Sequence, residues 1–385
     1  MKGAELNPEN AATVMFGLGL SENADDLEAY ARVCWSVLAE PGDGAAGDLV
    51  SRFGAVEALR IAVADADDEW NAGRARWRPR AESATVNSAL ASARRSGATL
   101  LVPSDAQWPT RLDDLGVHAP HVLWVRGDPG NLSAGPTVAI VGARAATPYG
   151  ESVAADLAAD LAAAGVTVVS GAAYGIDGAA HRAALAVDGS TVAFLAGGVD
   201  RPYPRGHEGL LSRIASSGAV LSETPCGAAP TKWRFLSRNR LIAAVADAVV
   251  VVEAGHRSGS LNTAAHAAQL GRALGAVPGP VTSAASAGSH RVLREFDGVC
   301  VTSAADVREM LGADTAPGQR SHDRTDDMTR MMDALSTRVG RDAGDIARRA
   351  GFSDAGAQAL LGLAELEGRV ARGEDGRWRA RHREG

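Results

Sequence analysis

The chain has 385 residues and a formal net charge of -7, with 46% hydrophobic and 22% charged side chains. This length exceeds what one hydrophobic core usually serves, so two or three domains are expected, and the composition excludes collagen-like, coiled-coil and wholly disordered chains. No apolar run is long enough to span a membrane, and the first ten residues lack the apolar segment of a signal peptide. We therefore expect a cytoplasmic protein with no membrane contact.

The negative charge is concentrated at the start of the chain. Residues 1–70 hold 4 basic and 14 acidic side chains, a local net charge of -10, and the remainder is close to neutral. A site for an anionic partner must therefore come from local clustering of cations and not from bulk charge. The three cysteines are far apart and form no C-x-x-C pair, which disfavours a disulfide framework and a zinc ribbon.

Short helices are predicted in this acidic first segment. Apolar helical patterns are interrupted at Pro41-Gly42 and again at Phe53-Gly54, as is typical of a small helical hairpin. We assign residues 1–75 to a helical domain of SAM-like or helix-hairpin type. Such hairpins sometimes contact nucleic-acid backbone, but the acidity of this one favours a packing or protein-facing role.

Residues 76–311 are predicted to form a Rossmann-like domain with an N-terminal extension. The extension has a helix over Ala84–Ser96 and two short strands, LLVPSD and HVLWVRGD. From Val138 onward, helices alternate with the apolar strands TVAIVGAR, VTVVSG, TVAFLAGG, AVLSE, ADAVVVVEAG and RALGAVPG. Short apolar strands that alternate with helices indicate an α/β fold with a doubly wound parallel sheet.

Two further segments follow the sheet. Residues 312–328 are polar, contain Gly and Pro and lack periodicity, so we predict a linker. Residues 329–385 contain three amphipathic helical stretches and a glycine-centred turn between RVAR and RWRA, the order of elements in a winged helix. A winged helix usually binds duplex DNA, but 11 cations against 9 acids leave a protein partner or a regulatory role equally open. The proposed wing is flanked by four arginines, Arg369, Arg372, Arg377 and Arg379.

In an open parallel sheet, ligands bind beyond the carboxyl ends of the strands, where the strand order reverses. After the first parallel strand, Gly142 allows the backbone to approach a phosphate and Arg144 offers a planar fork of donors. The turn is not G-x-G-x-x-G and no acid follows the next strand, which disfavours dinucleotide binding. After the second strand, Gly171 and Gly175 open a helix and form a second candidate anion site, although tight strand–helix turns also need glycine for structural reasons.

The segment Lys232–Arg240 holds four cations and two aromatic rings in nine residues. Cations that hold phosphates beside rings that stack on bases are what single-stranded nucleic acid requires. The alternative is a solvated charge run at a helix start with both rings in the core. Cations at a helix N-terminus oppose the helix dipole, and this favours an anionic partner. The candidate contacts in this segment are Lys232, Phe235, Arg238, Asn239 and Arg240.

A further loop follows the strand ADAVVVVEA. Its hydroxyls, glycine and helix-start amides suit phosphate oxygens. Neither Ser258 nor Ser260 lies in a G-x-S-x-G turn, and His256 has no orienting acid nearby except Glu253, so a hydrolase is disfavoured. No metal-ligand spacing occurs, and His181 is interpreted as a packed or surface side chain. We predict no catalytic residue, metal or cofactor. The candidate contacts here are Arg257, Ser258, Gly259, Ser260 and Thr263.

With these segments in view, the chain resembles the DNA-processing protein A family (DprA, also called Smf). The matching segments come in the family's order: VAIVGAR, TPYGESVAADLAADLAAAGVTVVSGAAYGIDGAAH, GGVDRPYP, LSETPCG, FLSRNRLIA, VVVVEAGHRSGSLNTAAHA and AVPG. The resemblance covers about residues 100–300. The helical start and the predicted winged-helix end fit the family more loosely.

This resemblance implies a central domain that dimerises and binds single-stranded DNA. Family members protect incoming strands during natural transformation and help to load RecA, without ATP and with no established catalytic reaction. By position, Arg144 matches a basic residue after the first turn, Lys232 a phosphate-contacting lysine and Phe235 a base-stacking ring.

Other positions are implied in the same way. Arg238 and Arg240 match the paired cations of the family's R-N-R segment. Gly171, Gly175 and Asp177 match its G-x-x-x-G-I-D turn.

The sequence departs from the family pattern in two turns. Ala143 stands where many relatives have Ser, which removes a hydroxyl donor. Tyr174 stands where many have Arg, which removes a cation but offers a ring that could stack on a base. The region of Ser289–Arg291 matches only weakly.

The alternative function is a nucleotide-processing enzyme on the same sheet, resembling the lysine-decarboxylase-like phosphoribohydrolases. Those enzymes carry a catalytic Glu on the helix that follows a P-G-G-x-G-T turn. The corresponding segment here, AGHRSGSLNTAAHAAQ, has no acid on that helix. The absence of a catalytic Glu on this helix favours the DNA-binding function over the enzymatic one.

Overall fold

The fold was analysed in a computed structural model that describes residues 6–20, 25–312, 327–366, 368–373 and 375–381. The chain divides into two compact units, Met1–Asp314 and Thr315–Gly385. The predicted linker falls almost entirely on residues outside those described. Within the described ranges, no helix is both long and apolar enough to cross a membrane.

The first unit begins with helices, as the sequence predicts. Side-chain caps start three of them: Asn7 accepts from the Asn10 amide at 2.8 Å, Asp25 from the Leu27 amide at 2.9 Å and Asp43 from the Ala45 amide at 3.0 Å. Gly54 adopts φ +74° and breaks the third helix in two, a left-handed conformation that favours glycine. The bounds are α1 Pro8–Met15, α2 Asp26–Leu38, α3 Gly44–Val63, α4 Asn71–Trp77 and α5 Ser83–Ser96, with a 3₁₀ turn over Arg78–Arg80.

These helices share a core with one end of the sheet. The Trp35 indole is fully buried, donates to the Ala55 carbonyl at 3.1 Å and meets Trp77 edge-to-face at 5.1 Å. The same apolar cluster includes Trp124 and Val220 of the sheet. The helices α1 to α4 therefore pack within the first unit, and the status of residues 1–75 as a domain of their own stays a prediction.

A nine-stranded sheet forms the centre of the first unit. The strands, in the order β1-β2-β6-β5-β4-β3-β7-β8-β9, pair in parallel from β6 to β9, and β1 and β2 join antiparallel at one edge. Their bounds are β1 Thr99–Leu101, β2 Leu123–Gly127, β3 Thr137–Val141, β4 Thr167–Ser170, β5 Thr191–Phe194, β6 Ala219–Ser222, β7 Ala248–Val251, β8 Ala273–Ala276 and β9 Val299–Cys300. The predicted parallel α/β sheet is confirmed.

The central strands are buried on both faces. Every residue of β3 to β7 is buried, and alternate residues enter two different cores: Val138 and Ile140 face one, Ala139 and Val141 the other. This burial explains why the strands are continuous apolar runs in the sequence. The covering helices are α6 Pro148–Ala163, α7 Ile176–Ala186, α8 Glu208–Ser217, α9 Lys232–Val245, α10 Ser260–Gln269, α11 Ala287–Glu295 and α12 Ala304–Met310, and 3₁₀ helices span Thr110–His118, Pro129–Leu132, Arg205–His207 and Ala284–Ser286.

The strand order reverses beside β3. The chain runs outward from β3 through β4, β5 and β6, and then returns to place β7 on the other side of β3. The loops that leave β3 and β7 consequently diverge at the carboxyl edge, and this opens a crevice between them.

The second unit is a small helical module with a hairpin. Its elements are α13 Asp327–Asp333, α14 Ala343–Ala350, α15 Asp354–Leu366, β10 Val370–Arg372 and β11 Trp378–Ala380. The Asp342 side chain caps α14 by accepting from the Asp345 amide at 2.8 Å. Met331, Leu361 and Trp378 belong to the core of this unit. Its assignment as a winged helix stays a prediction.

Candidate nucleic-acid interface

A groove of ≈ 1000 Å³ lies at the crevice between β3 and β7. The loop after β3, the start of α9 and the loop after β7 form its walls. This is the position where the strand-order rule places a ligand. The predicted residues that line it are Gly142, Arg144, Asp177, Lys232, Phe235, Arg238, Asn239, Arg257, Ser258, Gly259, Ser260 and Thr263. The predicted residues outside its lining are Gly171, Tyr174, Gly175 and Arg240.

The first turns of α9 form one wall. The Thr231 hydroxyl caps the helix by accepting from the Arg234 amide at 3.3 Å. Helical spacing then brings Lys232, Phe235 and Asn239 to the same side, which faces the groove. Lys232 is exposed, and no described carboxylate lies within ion-pair distance of it. Its ammonium group is therefore available to an anion.

Phe235 lies at the centre of a small cation–aromatic cluster. The guanidinium carbon of Arg144 lies 4.6 Å from the centroid of its ring, and the Tyr203 ring lies 5.4 Å away. Attraction between a guanidinium and an aromatic face favours this arrangement. A base that stacks on the covered face must first displace Arg144, which then becomes available to a phosphate.

Sequence reasoning missed Tyr203. This side chain is 46% exposed and lines the groove. It belongs to the segment GGVDRPYP, which follows β5 at the same carboxyl edge. Tyr203 could have been predicted from the sequence, because it is an aromatic residue in a loop at the carboxyl edge of the sheet.

Three of the four cations in Lys232–Arg240 are engaged inside the protein. The Arg234 guanidinium bonds Glu40 through two contacts of 3.0 and 2.9 Å. Although burial raises the pKa of the Glu40 carboxyl, its bonds with Arg234 and the charges of Arg234 and Arg80 outweigh burial and hold the pKa below its usual value. The charge run therefore needs no external anion at this position, contrary to the helix-dipole interpretation of the sequence.

The placement of Arg240 disfavours the direct DNA contact that the sequence predicts. The side chain is 5% exposed and forms a two-bond ion pair with the buried carboxylate of Glu223, one bond measuring 2.6 Å. It also donates to the carbonyls of His118 at 3.0 Å and Ser237 at 2.9 Å. Arg240 holds α9 against the rest of the first unit.

Arg238 lies at the floor of the groove and not at its surface. Its guanidinium is buried and donates to the carbonyls of Gly171, at 2.8 Å, and Phe194. Burial lowers the pKa of Arg238 to about 10, although the charge of Asp177 opposes this shift. The group stays charged at neutral pH and adds positive potential beneath the groove.

Asp177 organises the turn after β4. Its carboxylate accepts hydrogen bonds from the amides of Gly171 at 3.2 Å and Ala173 at 3.3 Å. Burial raises the pKa of this carboxyl, against the opposing charge of Arg238. A carboxylate repels phosphate, so the structure favours a positioning role for Asp177 over a DNA contact.

Close packing explains the turn glycines. A Cβ on Gly171 would lie 2.1 Å from Nη1 of Arg238, and one on Gly142 would lie 2.5 Å from Cγ1 of Ile176. Gly175 has φ +73°, and its Cβ would lie 2.3 Å from the Ala143 carbonyl oxygen. Gly171 and Gly175 serve packing outside the groove lining, in agreement with the structural alternative for such turns.

Tyr174 lies beside the groove. The ring is 49% exposed and contacts His207 edge-to-face at 4.8 Å. His207 in turn contacts the Ala172 carbonyl through Nδ1 at 3.0 Å. Tyr174 is thus held at the surface, and its stacking on a base stays a prediction.

The loop after β7 forms the opposite wall. Arg257 is exposed there, and the hydroxyls of Ser258 and Ser260 lie 2.7 Å apart. Asn239 donates to the Gly259 carbonyl at 3.2 Å and so ties α9 to this loop. Ser260 and Thr263 are 7% and 1% exposed, which leaves Arg257 and Ser258 as the more accessible side chains.

Glu253 has a structural role. Its carboxylate accepts from the Thr147 amide and hydroxyl, both at 2.8 Å, and so holds the start of α6. Glu253, the acid that the sequence places nearest to His256, is therefore already bonded to Thr147. Across the described ranges, no three His, Cys, Asp or Glu side chains are grouped as a metal site.

His181 is a buried, neutral side chain. Its Nδ1 lies 2.7 Å from the Thr191 hydroxyl, and its Nε2 has no hydrogen-bond partner among the described residues. Burial, aided by the charges of His207, Arg238 and Arg182, lowers the pKa of His181 to about 3 from the ordinary 6.5. Of the two placements predicted for His181, packed or surface, the structure shows the packed one.

Protonation of His181 is expected to destabilise the protein in acid. Because the folded-state pKa is depressed, the stabilisation is complete above pH 6.5 and is lost as pH falls towards 3. The expected loss is ~1.4 kcal/mol per pH unit, or about 2 kcal/mol by pH 5. Urea unfolding between pH 7 and 5 measures it, with His181→Gln as the comparison. An equal pH dependence in both proteins would contradict the assignment.

A family model described as DNA recombination-mediator protein A matches residues 99–312. The match covers more than half of the chain. The chain belongs to this family. The resemblance drawn from the turn and strand motifs is thereby confirmed.

Sequence similarity to relatives from several bacteria supports the family assignment. A Mycobacterium tuberculosis protein described as a DNA processing protein DprA is 48% identical over 305 residues, which cover 74% of this chain and 77% of the relative. DprA of Bacillus subtilis is 36% identical over 222 residues, covering 58% and 74%.

Solved structures of DprA proteins share the fold. The Streptococcus pneumoniae structure superposes with a TM-score of 0.60 at 29% identity and covers 72% of this chain and 95% of its own. The Helicobacter pylori structure, reported for its single-stranded DNA binding mode, has a TM-score of 0.51 at 30% identity, with 56% and 96% covered.

Proposed function

We propose that this protein is a recombination mediator that binds single-stranded DNA in the groove between β3 and β7. The observation that carries the proposal is the cation–aromatic cluster of Arg144, Phe235 and Tyr203, with Lys232 exposed beside it. Phosphates would contact the cations and bases would stack on the rings. The single-stranded DNA binding mode described for the Helicobacter pylori relative supports this function.

Oligo-dT titration at two or more salt concentrations tests the proposal. Three or four neutralised phosphates give a log–log slope of roughly -2 to -3 for a single strand. Excess unlabelled duplex should leave oligo-dT in the groove, because paired bases cannot stack on the rings. A flat salt response, or displacement by duplex at equal concentration, would reject the groove as a single-strand site.

We further propose that the protein protects incoming strands and helps to load RecA during natural transformation and recombination, in the cytoplasm and without catalysis. This proposal rests on family membership. The protein should shorten the lag of RecA assembly on single strands and hydrolyse no nucleotide itself. An unchanged lag at saturating protein would contradict it.

The enzymatic alternative is weaker in this chain. The helix after the β7 loop, α10, carries no acid, and Glu253 is bonded to Thr147. Incubation with nucleoside monophosphates distinguishes the two functions. We expect no release of free base. Its release would support the hypothesis of a phosphoribohydrolase-like enzyme.

We also propose that the protein is a homodimer through its central domain. Family membership motivates this proposal, and pairing two short sites raises avidity for one strand. Sedimentation at micromolar concentration should give about twice the monomer mass of 39.5 kDa. A monomer throughout would contradict it.

The second unit should be dispensable for single-strand binding. All of the groove residues lie in the first compact unit, which ends at Asp314. Truncation after Gly312 should therefore leave oligo-dT affinity within a few-fold of the full chain, as measured by fluorescence anisotropy. Loss of binding in a folded truncation would show that the site has been misplaced.

A further inference from the structure

The hairpin of the second unit has two different faces. In its register Val370 pairs with Ala380 and Arg372 with Trp378. Residues that alternate with Trp378 point to the other side of a strand. Val370 and Trp378 are buried, whereas Arg377, Arg379 and Arg381 are exposed. The outer face of β11 and its flanks thus carries an arginine at every second position.

The hairpin is anchored firmly. Trp378 and Arg341 exchange two backbone hydrogen bonds of 2.8 and 3.1 Å, and the Ala380 amide donates to the Ser336 carbonyl at 3.2 Å. The Arg381 amide donates to the Arg369 carbonyl at 2.8 Å and so extends the pairing beyond β11. The arginines are therefore presented on a fixed backbone, which reduces the entropy lost on binding.

The outer face concentrates positive charge. Alternate residues on a strand lie about 7 Å apart, so the three guanidinium groups start from regularly spaced positions. No described carboxylate lies within ion-pair distance of Arg377, Arg379 or Arg381, and Asp375 accepts instead from the Arg377 amide at 3.2 Å. Repulsion among like charges on one face is unfavourable unless an anion binds there.

The third helix of this unit has the opposite character. Residues 350–368 contain three acids and no Lys or Arg. Asp354, Gln358 and Leu363 are exposed along α15. Because phosphates repel acids, insertion of α15 into a DNA groove is unfavourable. Any nucleic acid should approach from the hairpin side.

We propose that the outer face of the hairpin, Arg377, Arg379 and Arg381, binds the phosphate backbone of duplex DNA. This second site is separate from the groove of the first unit. Trp378 faces the core, so the described residues of the outer face include no ring on which an unpaired base could stack. The denser charge of duplex DNA is the better partner for a face of cations alone. Binding through phosphates alone carries no direct reading of base sequence.

The test uses the full-length protein with the triple change Arg377→Gln, Arg379→Gln and Arg381→Gln. A control with Arg52→Gln, Arg60→Gln and Arg78→Gln removes the same charge from about half-exposed arginines of the first unit. Removal of three phosphate contacts should weaken binding of a labelled 30-bp duplex at least about tenfold at low salt and reduce the log–log slope by about 2.7. The control should change neither.

A charge-preserving variant, Arg377→Lys, Arg379→Lys and Arg381→Lys, should retain most of the duplex affinity. Oligo-dT affinity is measured in parallel and should stay within a few-fold of that of the unchanged protein. This second measurement distinguishes failure of the hairpin site from failure of the groove proposal. An unchanged duplex slope in the Gln variant, or an equal loss in the control, would overturn the hairpin site.

Discussion

Replacement of Phe235 by alanine is expected to weaken oligo-dT binding by roughly 1–3 kcal/mol and leave its salt dependence unchanged. The ring lies in the groove between Arg144 and Tyr203, and stacking on a base releases no counterions. Lys232→Ala should instead make the log–log slope shallower by about 0.7, because one released counterion is lost.

The outcome at Arg144 is less simple. In the free protein its guanidinium lies over the Phe235 ring, so Arg144→Ala exposes the ring and also removes a cation. The salt slope should become shallower, while part of the lost affinity is offset because no guanidinium has to leave the ring. Fluorescence anisotropy at four salt concentrations measures both quantities.

Trp233 provides a matched control on the same helix. It is 62% exposed and does not line the groove, so Trp233→Ala should leave oligo-dT affinity unchanged. Melting temperature is recorded beside affinity. A normally stable Phe235→Ala with full affinity would reject the stacking role, and a loss of stability of about 3–5 kcal/mol would make Phe235 a core residue instead.

Arg240→Ala is expected to reduce the free energy of unfolding by about 3–5 kcal/mol. The change leaves the Glu223 carboxylate buried without its partner. The double variant Arg240→Met with Glu223→Leu should recover most of that stability, since an apolar pair leaves no buried charge. Urea unfolding measures both effects.

Two further results make the prediction specific. Arg234→Ala breaks a more exposed pair with Glu40 and should cost only about 1 kcal/mol. Oligo-dT affinity of the folded double variant should equal that of the unchanged protein, because Arg240 does not line the groove. A stable Arg240→Ala that has lost DNA binding would restore the contact expected from the sequence.

The sheet and the location of the groove could be predicted because both follow from local patterns. Buried parallel strands are apolar runs, and glycine-rich turns mark their carboxyl ends. The partners of α9 could not be predicted in this way. Arg234 meets Glu40, 194 positions earlier, and Arg240 meets Glu223 on the loop after β6. A single sequence shows the cations but not the acids that the fold brings to them.

The turn residues illustrate the same limit. Gly171 and Asp177 match a family motif, yet their contacts are with Arg238 and with the turn itself. A motif preserves what the fold needs as well as what the ligand needs. At these positions, only the packing distances in the structure distinguish a residue needed by the fold from one needed by the ligand.

The most direct test of the proposed function is photochemical crosslinking of a single-stranded oligonucleotide that contains 5-iodouracil. This base crosslinks to aromatic rings on which it stacks, and mass spectrometry identifies the modified peptide. We expect crosslinks at Phe235 or Tyr203, the rings that line the groove, and their loss in Phe235→Ala. Crosslinks confined to other parts of the protein would contradict binding of a single strand in the groove.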